Sequence, residues 1–385
     1  MENNFNIQLN EAKKLYSSKN YAESLNIYEE LFSNYSDEFK LNDLISYCWA
    51  VYQVHVKNFK NEDELLEAAD LITELIPQAD LNSSNTCPYT FAVMEVLKYL
   101  DSENQYYNMD HWFDKIEPKF LDENKNNPNF RSRKERFYEI ASKAYLACAE
   151  WDLCIEVSDE ALDSIKSFTN YGDIWHKWRI AKALRELDQN VEALEYLNEV
   201  AKVKDDWFVF KEFAENYYIL NDSENAIKYL CQAILAKGPA KMKVNLYCFA
   251  FKLLEDSNEE IAYRHAELCY LLKTESNAQI PDELEDLMIE EETLNKKELI
   301  SQINSYWNDF KFQNQELQYG TITKFVEDRN FGFIQNENNE SIFFHGSDFR
   351  GEDIYVGQLV SFYTEENFDK SKNRKSLKAV NIRGE

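Results

Sequence analysis

The segment GTITKFVEDRNFGFIQNENNESIFFHGSDF, residues 320–349, alternates apolar and polar side chains with a period of two. Successive side chains of a strand point to opposite faces, so this pattern predicts strands at Tyr319–Val326, Arg329–Gln335 and Ser341–His345. Two further runs, Gly357–Thr364 and Leu377–Arg383, show the same pattern. Five short strands within about 65 residues are typical of a small antiparallel β-barrel of the OB type.

One face of this barrel is predicted to carry an unusual number of rings. Strict alternation places five side chains on it: Phe325, Phe331, Phe333, Phe343 and His345. Gly332, between two of the rings, is expected to let a ligand approach the backbone closely. Bases of a single strand stack on such rings, and each stacked base contributes about 1–3 kcal/mol to binding. The alternative is a barrel whose rings contact protein.

The charge of the chain changes at the start of this segment. The chain has 42 Lys and Arg against 70 Asp and Glu, a net charge of −28, which as a whole repels polyanions. Residues 316–385 hold 9 basic and 12 acidic residues, so they carry −3 and the remainder carries −25. A run without any acidic residue follows Asp369: Lys370, Lys372, Arg374, Lys375, Lys378 and Arg383. We expect this run, with Lys324 and Arg329, to contact phosphates, and an ordinary solvated loop is the alternative.

Glycine and proline place a domain boundary near residue 319. Six of the eight glycines lie at or after Gly320, and all six prolines lie before it. Because glycine weakens helix interiors, the first 319 residues are predicted to be almost entirely helical.

A pattern of small residues recurs within this helical part. A small residue is followed about 12 positions later by a second one, and seven positions after that by a small or apolar residue. The copies are Ala12, Ser24 and Leu31; Ser142, Cys154 and Ala161; Ala181, Ala193 and Val200; Ala214, Ala226 and Ala233; and, more loosely, Ala250, Ala262 and Cys269. Small residues at this spacing let two antiparallel helices pack closely.

This pattern resembles the tetratricopeptide repeat, whose length is about 34 residues. The steps from Ala193 to Ala226 and from Ala226 to Ala262 are 33 and 36 residues. The glycine and the proline usual in that family are mostly absent, and residues 39–136 fit the register badly. The resemblance implies a solenoid of helix pairs with a concave surface lined by the first helix of each pair.

The predicted lining of that surface is basic and aromatic. Its candidate residues are Arg136, Lys143, Trp175, Trp178, Lys182, Arg185, Phe208, Lys211 and Tyr218. Such a groove suits an acidic or carboxylate-ended peptide, or a nucleic-acid strand. Alternatively, the tryptophans pack between repeats and the charges are ordinary. A neighbouring basic cluster within residues 131–136 is predicted to be an exposed helix start.

Several function classes find no support in the sequence. The first residues contain no apolar signal-peptide core, and no run of 18 uncharged apolar residues exists. The seven cysteines are scattered without any C-x-x-C, which predicts reduced core thiols in a cytoplasmic protein. No phosphate-binding loop, nucleophile elbow or zinc motif is present. We therefore expect no enzyme, no cofactor, no metal and no membrane partner.

The strand segments also resemble a known family. GTITKF, RNFGFI and SIFFHGSDF resemble the first three strands of the bacterial cold-shock domain, and GQLVSF and KAVNI resemble its last two. That family binds single-stranded RNA and DNA. The resemblance implies that Phe331 and Phe333 lie on its first ribonucleoprotein-like motif, and that Phe343 and His345 lie on its second. Phe325 falls on the ring that closes the first strand.

Three positions depart from the pattern of that family. Lys324 stands where the family usually has Trp, Gly346 stands where it usually has Phe, and Asn330 replaces a usual Gly. The loss of two stacking groups predicts weaker binding, and a phosphate contact from Lys324 would make that binding more dependent on salt.

Together these observations predict a multidomain α + β protein, in which an all-α, tetratricopeptide-like solenoid precedes a five-stranded antiparallel barrel. The predicted divisions are helical repeats at 1–136, helix pairs at 137–275, capping helices at 276–312, a linker at 313–318 and the barrel at 319–385. The predicted function is a cytoplasmic adaptor that binds single-stranded RNA or DNA and recruits an unidentified protein partner. A pure protein-interaction scaffold is the alternative. A further hypothesis is that the acidic array competes with nucleic acid for the basic run.

Overall fold

The computed structural model describes residues 4–84, 86–123, 129–287, 295–351, 353–369 and 374–385. The chain divides into two compact units, Met1–Asp205 (unit 1) and Asp206–Glu385 (unit 2). Helices fill unit 1 and the first part of unit 2, and a β-barrel follows. The predicted order of a helical part and a C-terminal barrel is therefore confirmed.

The helices of unit 1 follow one another along the chain, and the longest stretch between two of them runs from Phe113 to Arg133. They are α1 Asn4–Ser17, α2 Tyr21–Tyr35, α3 Leu41–Val51, α4 Glu62–Leu75, α5 Leu81–Ser84, α6 Pro88–Ser102, α7 Asp110–Phe113, α8 Arg133–Ala147, α9 Trp151–Ser164, α10 Gly172–Glu186 and α11 Asn190–Ala201. A π-helical segment, Tyr52–Val56, continues α3. The predicted division at residue 136 falls inside α8.

Unit 2 contains further helices and the strands. The helices are α12 Trp207–Ile219, α13 Ser223–Leu235, α14 Val244–Leu254, α15 Glu259–Glu275, α16 Asp282–Leu287 and α17 Lys296–Phe312. The strands are β1 Gln318–Val326, β2 Phe331–Asn336, β3 Ser341–His345, β4 Phe349–Arg350, β5 Leu359–Asp369 and β6 Arg374–Gly384. The predicted third strand is confirmed residue for residue, whereas β5 and β6 extend into the segment predicted as a basic loop.

The repeated small residues lie where consecutive helices meet. Every residue of the five sets is buried, with at most 1% of its surface exposed. The Ser24 hydroxyl on α2 donates a hydrogen bond to the Ala12 carbonyl of α1 at 2.8 Å. The Cys154 thiol on α9 makes the equivalent contact with the Ser142 carbonyl of α8 at 3.4 Å. A larger side chain at these positions would push the two helices apart. The spacing of small residues in the sequence therefore follows from the close packing of each helix pair.

The turns inside these pairs adopt a left-handed backbone conformation without glycine. The residue seven positions after the first small residue has a positive φ in four pairs: Lys19, Ala149, Asp188 and Asn221. The next residue donates its N–H back to a carbonyl five positions earlier, as Glu150 does to Tyr145 at 2.9 Å. This bond closes the end of the first helix in the manner of a Schellman cap. A non-glycine residue in this left-handed conformation costs about 1 kcal/mol.

The barrel is closed by a mixed sheet. The strand order is β3-β2-β1-β5-β6-β4, and an additional β3–β6 pairing completes the ring. The prediction of a strictly antiparallel barrel is wrong, because β3 pairs with β6 in parallel, with Phe343 opposite Lys378. Five main strands are an odd number, so they cannot all alternate in direction around a closed ring, and the parallel pair falls where β3 meets β6.

The inner face of the barrel is apolar and well buried. Residues with no more than 5% exposure form its centre: Ile322, Ile334, Ile342, Phe344, Val360, Phe362, Ala379 and Ile382. They alternate with outward side chains along the strands, as the period of two predicts. The barrel thus has a core of its own, without using the rings of its outer face.

The last helix, α17, holds the barrel along β5 and β6. The rings of Phe312 and Tyr363 stack with centroids 4.8 Å apart and planes 8° from parallel. Lys311 pairs with Glu365 at 2.5 Å, and Arg383 pairs with Asp309. These contacts reach the barrel on strands other than β2 and β3.

Two further observations concern the exclusions made from sequence. The structure joins Cys248 of α14 to Cys269 of α15 in a disulfide, so the prediction that all seven cysteines are reduced thiols is wrong for this pair. Helix packing brings the two Cα atoms to 5.7 Å, which a separation of 21 residues does not reveal. Among the described residues, no helix combines the length and the apolar character that a membrane crossing requires.

Candidate nucleic-acid interface

A β-bulge in β1 decides which side chains share the outer face of the barrel. The pairing of β1 with β2 runs from Ile322 opposite Ile334 directly to Lys324 opposite Phe333, so one extra residue is inserted at this point. Side chains directly opposite each other in an antiparallel pair lie on the same face. Lys324 therefore lies on the face of Phe333, next to that ring.

The bulge also moves Phe325 off that face. Phe325 lies opposite Gly332 and packs against the barrel core, and its ring is parallel to that of Phe344 at 6.0 Å. The prediction that five rings share one face is therefore wrong for Phe325. Strict alternation failed because the extra residue exchanges the faces of everything that follows it in the strand.

Three phenylalanine rings form a cluster on β2 and β3. We call these three rings, together with Lys324 and His345, the ring face. The centroids of Phe331, Phe333 and Phe343 lie 5.9–6.1 Å from one another. All three rings are half-buried, and the contacts described for them are with each other. Such rings present exposed π surface that a base can cover, which suits stacking of unpaired nucleotides.

Gly332 has a different role from the predicted one. A Cβ at this position would lie 2.4 Å from the Lys324 carbonyl oxygen and 2.5 Å from the Phe344 ring. Glycine is required here because the core ring Phe344 and the backbone of β1 occupy the space, not because a ligand approaches. The interpretation of Gly332 as a ligand-access position is wrong.

His345 stands at the end of the ring face, opposite Phe331 in the β2–β3 ladder. Its Nδ1 is 2.8 Å from the Ser347 hydroxyl and accepts the Ser347 backbone N–H at 3.3 Å. The other ring nitrogen then carries the proton and can donate to a ligand. His345 is thus fixed in orientation and adds a polar group to the apolar cluster.

The turn before β2 explains why Gly346 carries no ring. Asn330 has a φ of 50°, and its carbonyl accepts the Gly346 N–H at 2.8 Å. A Cβ on Gly346 would meet the Asn330 side-chain oxygen at 1.9 Å. The two departures from the cold-shock pattern are therefore coupled, because the Asn330 amide occupies the space that a side chain at 346 would need.

The basic residues differ in how far they are available to an anion. Lys324 and Arg329 are exposed, and no ion pair among the described residues engages them. In contrast, Lys375 pairs with Glu366 at 3.2 Å and Lys378 pairs with Asp348 at 2.8 Å. Lys370 and Lys372 lie outside the described residues, and Arg374 is the first residue of β6 rather than part of a loop. Of the exposed basic residues without a described ion pair, Lys324 is the one that lies directly opposite a ring, that of Phe333, in the β1–β2 ladder.

The predicted groove residues of unit 1 include an aromatic pair on α10. Trp175 and Trp178 are half-buried with their centroids 6.1 Å apart, and Lys182 lies 4.8 Å from the Trp178 ring. Arg185 pairs with Glu186 at 2.7 Å. Lys143 on α8 pairs with Asp101 at 2.6 Å. The unit thus places these aromatic and basic residues on its helices, but acidic partners neutralise part of the charge.

The predicted groove residues of unit 2 lie on α12. Lys211 pairs with Glu215 at 2.5 Å, and Phe208 contacts the Trp207 ring edge-on at 5.9 Å. Tyr218 is 46% exposed and packs edge-on against Phe249. Binding of a peptide to either set of groove residues stays a prediction.

Sequence reasoning missed two features of this interface. The first is the position of Lys324 beside Phe333, and the second is the Asn330 turn, whose side-chain amide occupies the space beside Gly346. The first had no local signal, because the bulge depends on how β1 pairs with both of its neighbours. The second had one, since asparagine is among the residues most tolerant of a positive φ.

Comparison with known proteins supports the identification of the barrel. Residues 318–384 match a family model described as 'Cold-shock' DNA-binding domain. Residues 174–311 match a model described as a domain of unknown function (DUF7017). No curated protein matches the chain.

Solved structures similar to this chain include tetratricopeptide-repeat proteins. One from Parabacteroides merdae has a TM-score of 0.36 and 11% identity, over 77% of this chain and 98% of that one. The apo form of RapI has a TM-score of 0.45 and 14% identity, over 80% and 87%. PilF of Pseudomonas aeruginosa has a TM-score of 0.31 and 11% identity, over 66% and 97%.

Proposed function

We propose that this protein binds single-stranded RNA or DNA on the ring face of its C-terminal barrel, and that its helical part recruits a protein partner. The observation that carries the proposal is the cluster of Phe331, Phe333 and Phe343 beside the exposed amine of Lys324. The barrel does not need these rings for its own core, since its centre is filled by other side chains.

The mechanism follows from the chemistry of the ring face. Bases stack on the phenylalanine rings, which tolerate any base because every base has a π surface. Lys324 contacts a phosphate of the same strand, and His345 donates a hydrogen bond to a base or sugar. The −28 charge of the chain opposes binding at long range, and salt screens that repulsion. The phosphate contact of Lys324 releases counterions, and this contact makes binding weaken as salt rises.

The adaptor role rests on the division of the molecule into helical pairs and a barrel that α17 holds by β5 and β6. The contacts of α17 with the barrel use neither β2 nor β3, the strands that carry the rings. Helix-pair arrays offer extended surfaces for protein partners, which is the use proposed for residues such as Trp178 and Lys182.

The test is a fluorescence titration of the full chain with a short pyrimidine-rich RNA. The double substitution Phe331→Ala/Phe343→Ala removes two stacking rings, so the affinity is expected to fall about 30-fold or more. Tyr355→Ala is the matched control, because Tyr355 is a 59% exposed ring on the same barrel outside the ring face. Unchanged affinity in the double variant would refute the proposal and favour a scaffold whose rings contact protein.

A further inference from the structure

Unit 1 contains a cavity of about 330 Å³ far along the chain from the ring face. It lies between α6, the start of the π-helical segment and the start of α8. The side chains that matter for its chemistry are Tyr52, Phe91, Lys98, Arg131, Arg133 and Arg136. This volume is within the range of sites for small molecules, about 300–1,000 Å³.

The cavity is positive in a strongly acidic chain. Four basic residues line it against two acidic ones, Glu95 and Asp122. Lysine and arginine concentrated in one concave place focus a positive potential there. The predicted interpretation of this cluster as a plain exposed helix start does not account for a cavity with that lining.

The arginines keep hydrogen-bond donors available. Arg133 uses its Nη1 for Asp122 at 2.8 Å, and Arg131 uses its Nη1 for Glu139 at 2.5 Å. A guanidinium has five N–H donors, so each retains donors that can face the cavity. No ion pair with a described residue engages Arg136, which is exposed.

One side of the cavity is aromatic and rigid. The Arg133 guanidinium lies 4.3 Å from the centre of the Phe91 ring. The edge-on contact of Phe91 with Trp49 at 5.5 Å and its tilted contact with Tyr52 at 6.1 Å hold the ring in place. Arg133 is therefore fixed by a ring and a carboxylate, which is the preorganisation that recognition of an anion requires.

The backbone at the start of α8 is not the source of binding. The Ser132 hydroxyl accepts the Glu135 N–H at 3.1 Å, and the Glu135 carboxylate accepts the Ser132 N–H at 3.0 Å. This capping box already satisfies donors of the first turn. The site depends on its side chains.

A buried arginine adjoins this cavity, with acidic groups of the protein beside it. Arg179 is only 8% exposed, and its Nη1 has no hydrogen-bond partner. It lines a second, smaller cavity that shares Arg131 with the first. Glu139, which pairs with Arg131, lines the same smaller cavity and is the carboxylate that stabilises the buried charge of Arg179.

We propose that this cavity binds a small ligand that carries a phosphate group. Arginine donors in a fixed arrangement match phosphate oxygens in pairs, whereas a neutral ligand would leave them unused. The site is separate from the ring face and independent of the proposed nucleic-acid binding.

Isothermal titration calorimetry of the full chain with AMP and with adenosine tests the proposal. AMP is expected to bind and adenosine is not, because the two ligands differ only in the phosphate. Arg136→Gln is expected to weaken AMP binding about tenfold, as the loss of a charge-assisted hydrogen bond implies. This variant should fold normally, since no described ion pair depends on Arg136.

Two control variants show whether AMP binds in this cavity rather than elsewhere on the chain. Lys166→Gln removes the same charge from an exposed position of unit 1 outside the cavity, and it should bind AMP as the unaltered chain does. Phe331→Ala/Phe343→Ala should also bind AMP unchanged, even though it loses RNA. The proposal is overturned if AMP does not bind, if adenosine binds equally well, if Lys166→Gln weakens binding as much as Arg136→Gln, or if the ring-face variant loses AMP.

Discussion

Acid is expected to destabilise unit 2 through His265, a histidine on α15 that is completely buried. Its Nδ1–H donates to the Ile261 carbonyl at 2.7 Å, and its Nε2 accepts the indole N–H of Trp307 at 3.0 Å. Both ring nitrogens therefore make a hydrogen bond when the imidazole is neutral. A second proton would sit on Nε2 facing the Trp307 donor, and would break the link between α15 and α17.

The size of the effect follows from the pKa of His265. Burial lowers this pKa from 6.5 to about 4, against the smaller opposing effect of the Ile261 carbonyl. His265 takes up a proton more readily in the unfolded chain than in the folded one. Its protonation therefore does not lower the free energy of unfolding well above pH 6.5, and lowers it progressively as the pH drops toward 4. The loss is about 2 kcal/mol at pH 5 and approaches about 3 kcal/mol below pH 4.

Urea unfolding at pH 8 and pH 5, followed by circular dichroism, measures this loss. His265→Gln keeps a donor and an acceptor but does not titrate, so its free energy of unfolding should fall about 2 kcal/mol less than that of the unaltered chain between these pH values. His111→Gln, at an exposed histidine, should follow the unaltered chain. Equal pH dependence for His265→Gln and the unaltered chain would rule out protonation of His265 as the cause of the loss.

Three other substitutions test separate features. Lys324→Gln should weaken RNA binding, because one phosphate contact is lost. Titration at several salt concentrations should show that the slope of log affinity against log salt becomes about 0.7 less steep. An unchanged slope would mean that Lys324 does not contact the RNA. Ala149→Gly should raise the free energy of unfolding by about 1 kcal/mol in urea, because glycine adopts the φ of 61° without strain; destabilisation would contradict this. Gly332→Ala should cost about 1–3 kcal/mol in the same assay, because its Cβ meets the Lys324 carbonyl and the Phe344 ring; a neutral result would show that β1 and β2 can separate freely.

The helical pairs were predictable because the signal is local. Ser142 and Cys154 are small since two helices approach each other there, and the hydrogen bond between them shows the closeness. The same holds for Ile342 and Phe344, whose burial follows from alternation within one strand. Each of these inferences needs only the identity of a residue and its distance along the chain from a partner.

The site was predictable only in part. Phe331, Phe333 and Phe343 lie together as expected, because β2 and β3 are regular and directly paired. Phe325 and Lys324 exchanged faces because a bulge lies before them. The cavity beside Phe91 and Arg133 joins residues 42 positions apart, and no pattern along the chain links them.

Residue types and their spacing were enough to establish the kinds of element, the pairing of helices by small residues, and the three rings of β2 and β3. Three features came from the folding of the whole chain: Lys324 joins those rings, β3 closes the barrel on β6 in parallel, and Arg131 and Arg133 meet in a cavity. The physical reason is the range of the interactions. Periodicity and residue size act within an element. The position of a bulge, in contrast, depends on the hydrogen bonds that β1 forms with β2 on one side and with Gly357 and Gln358 on the other.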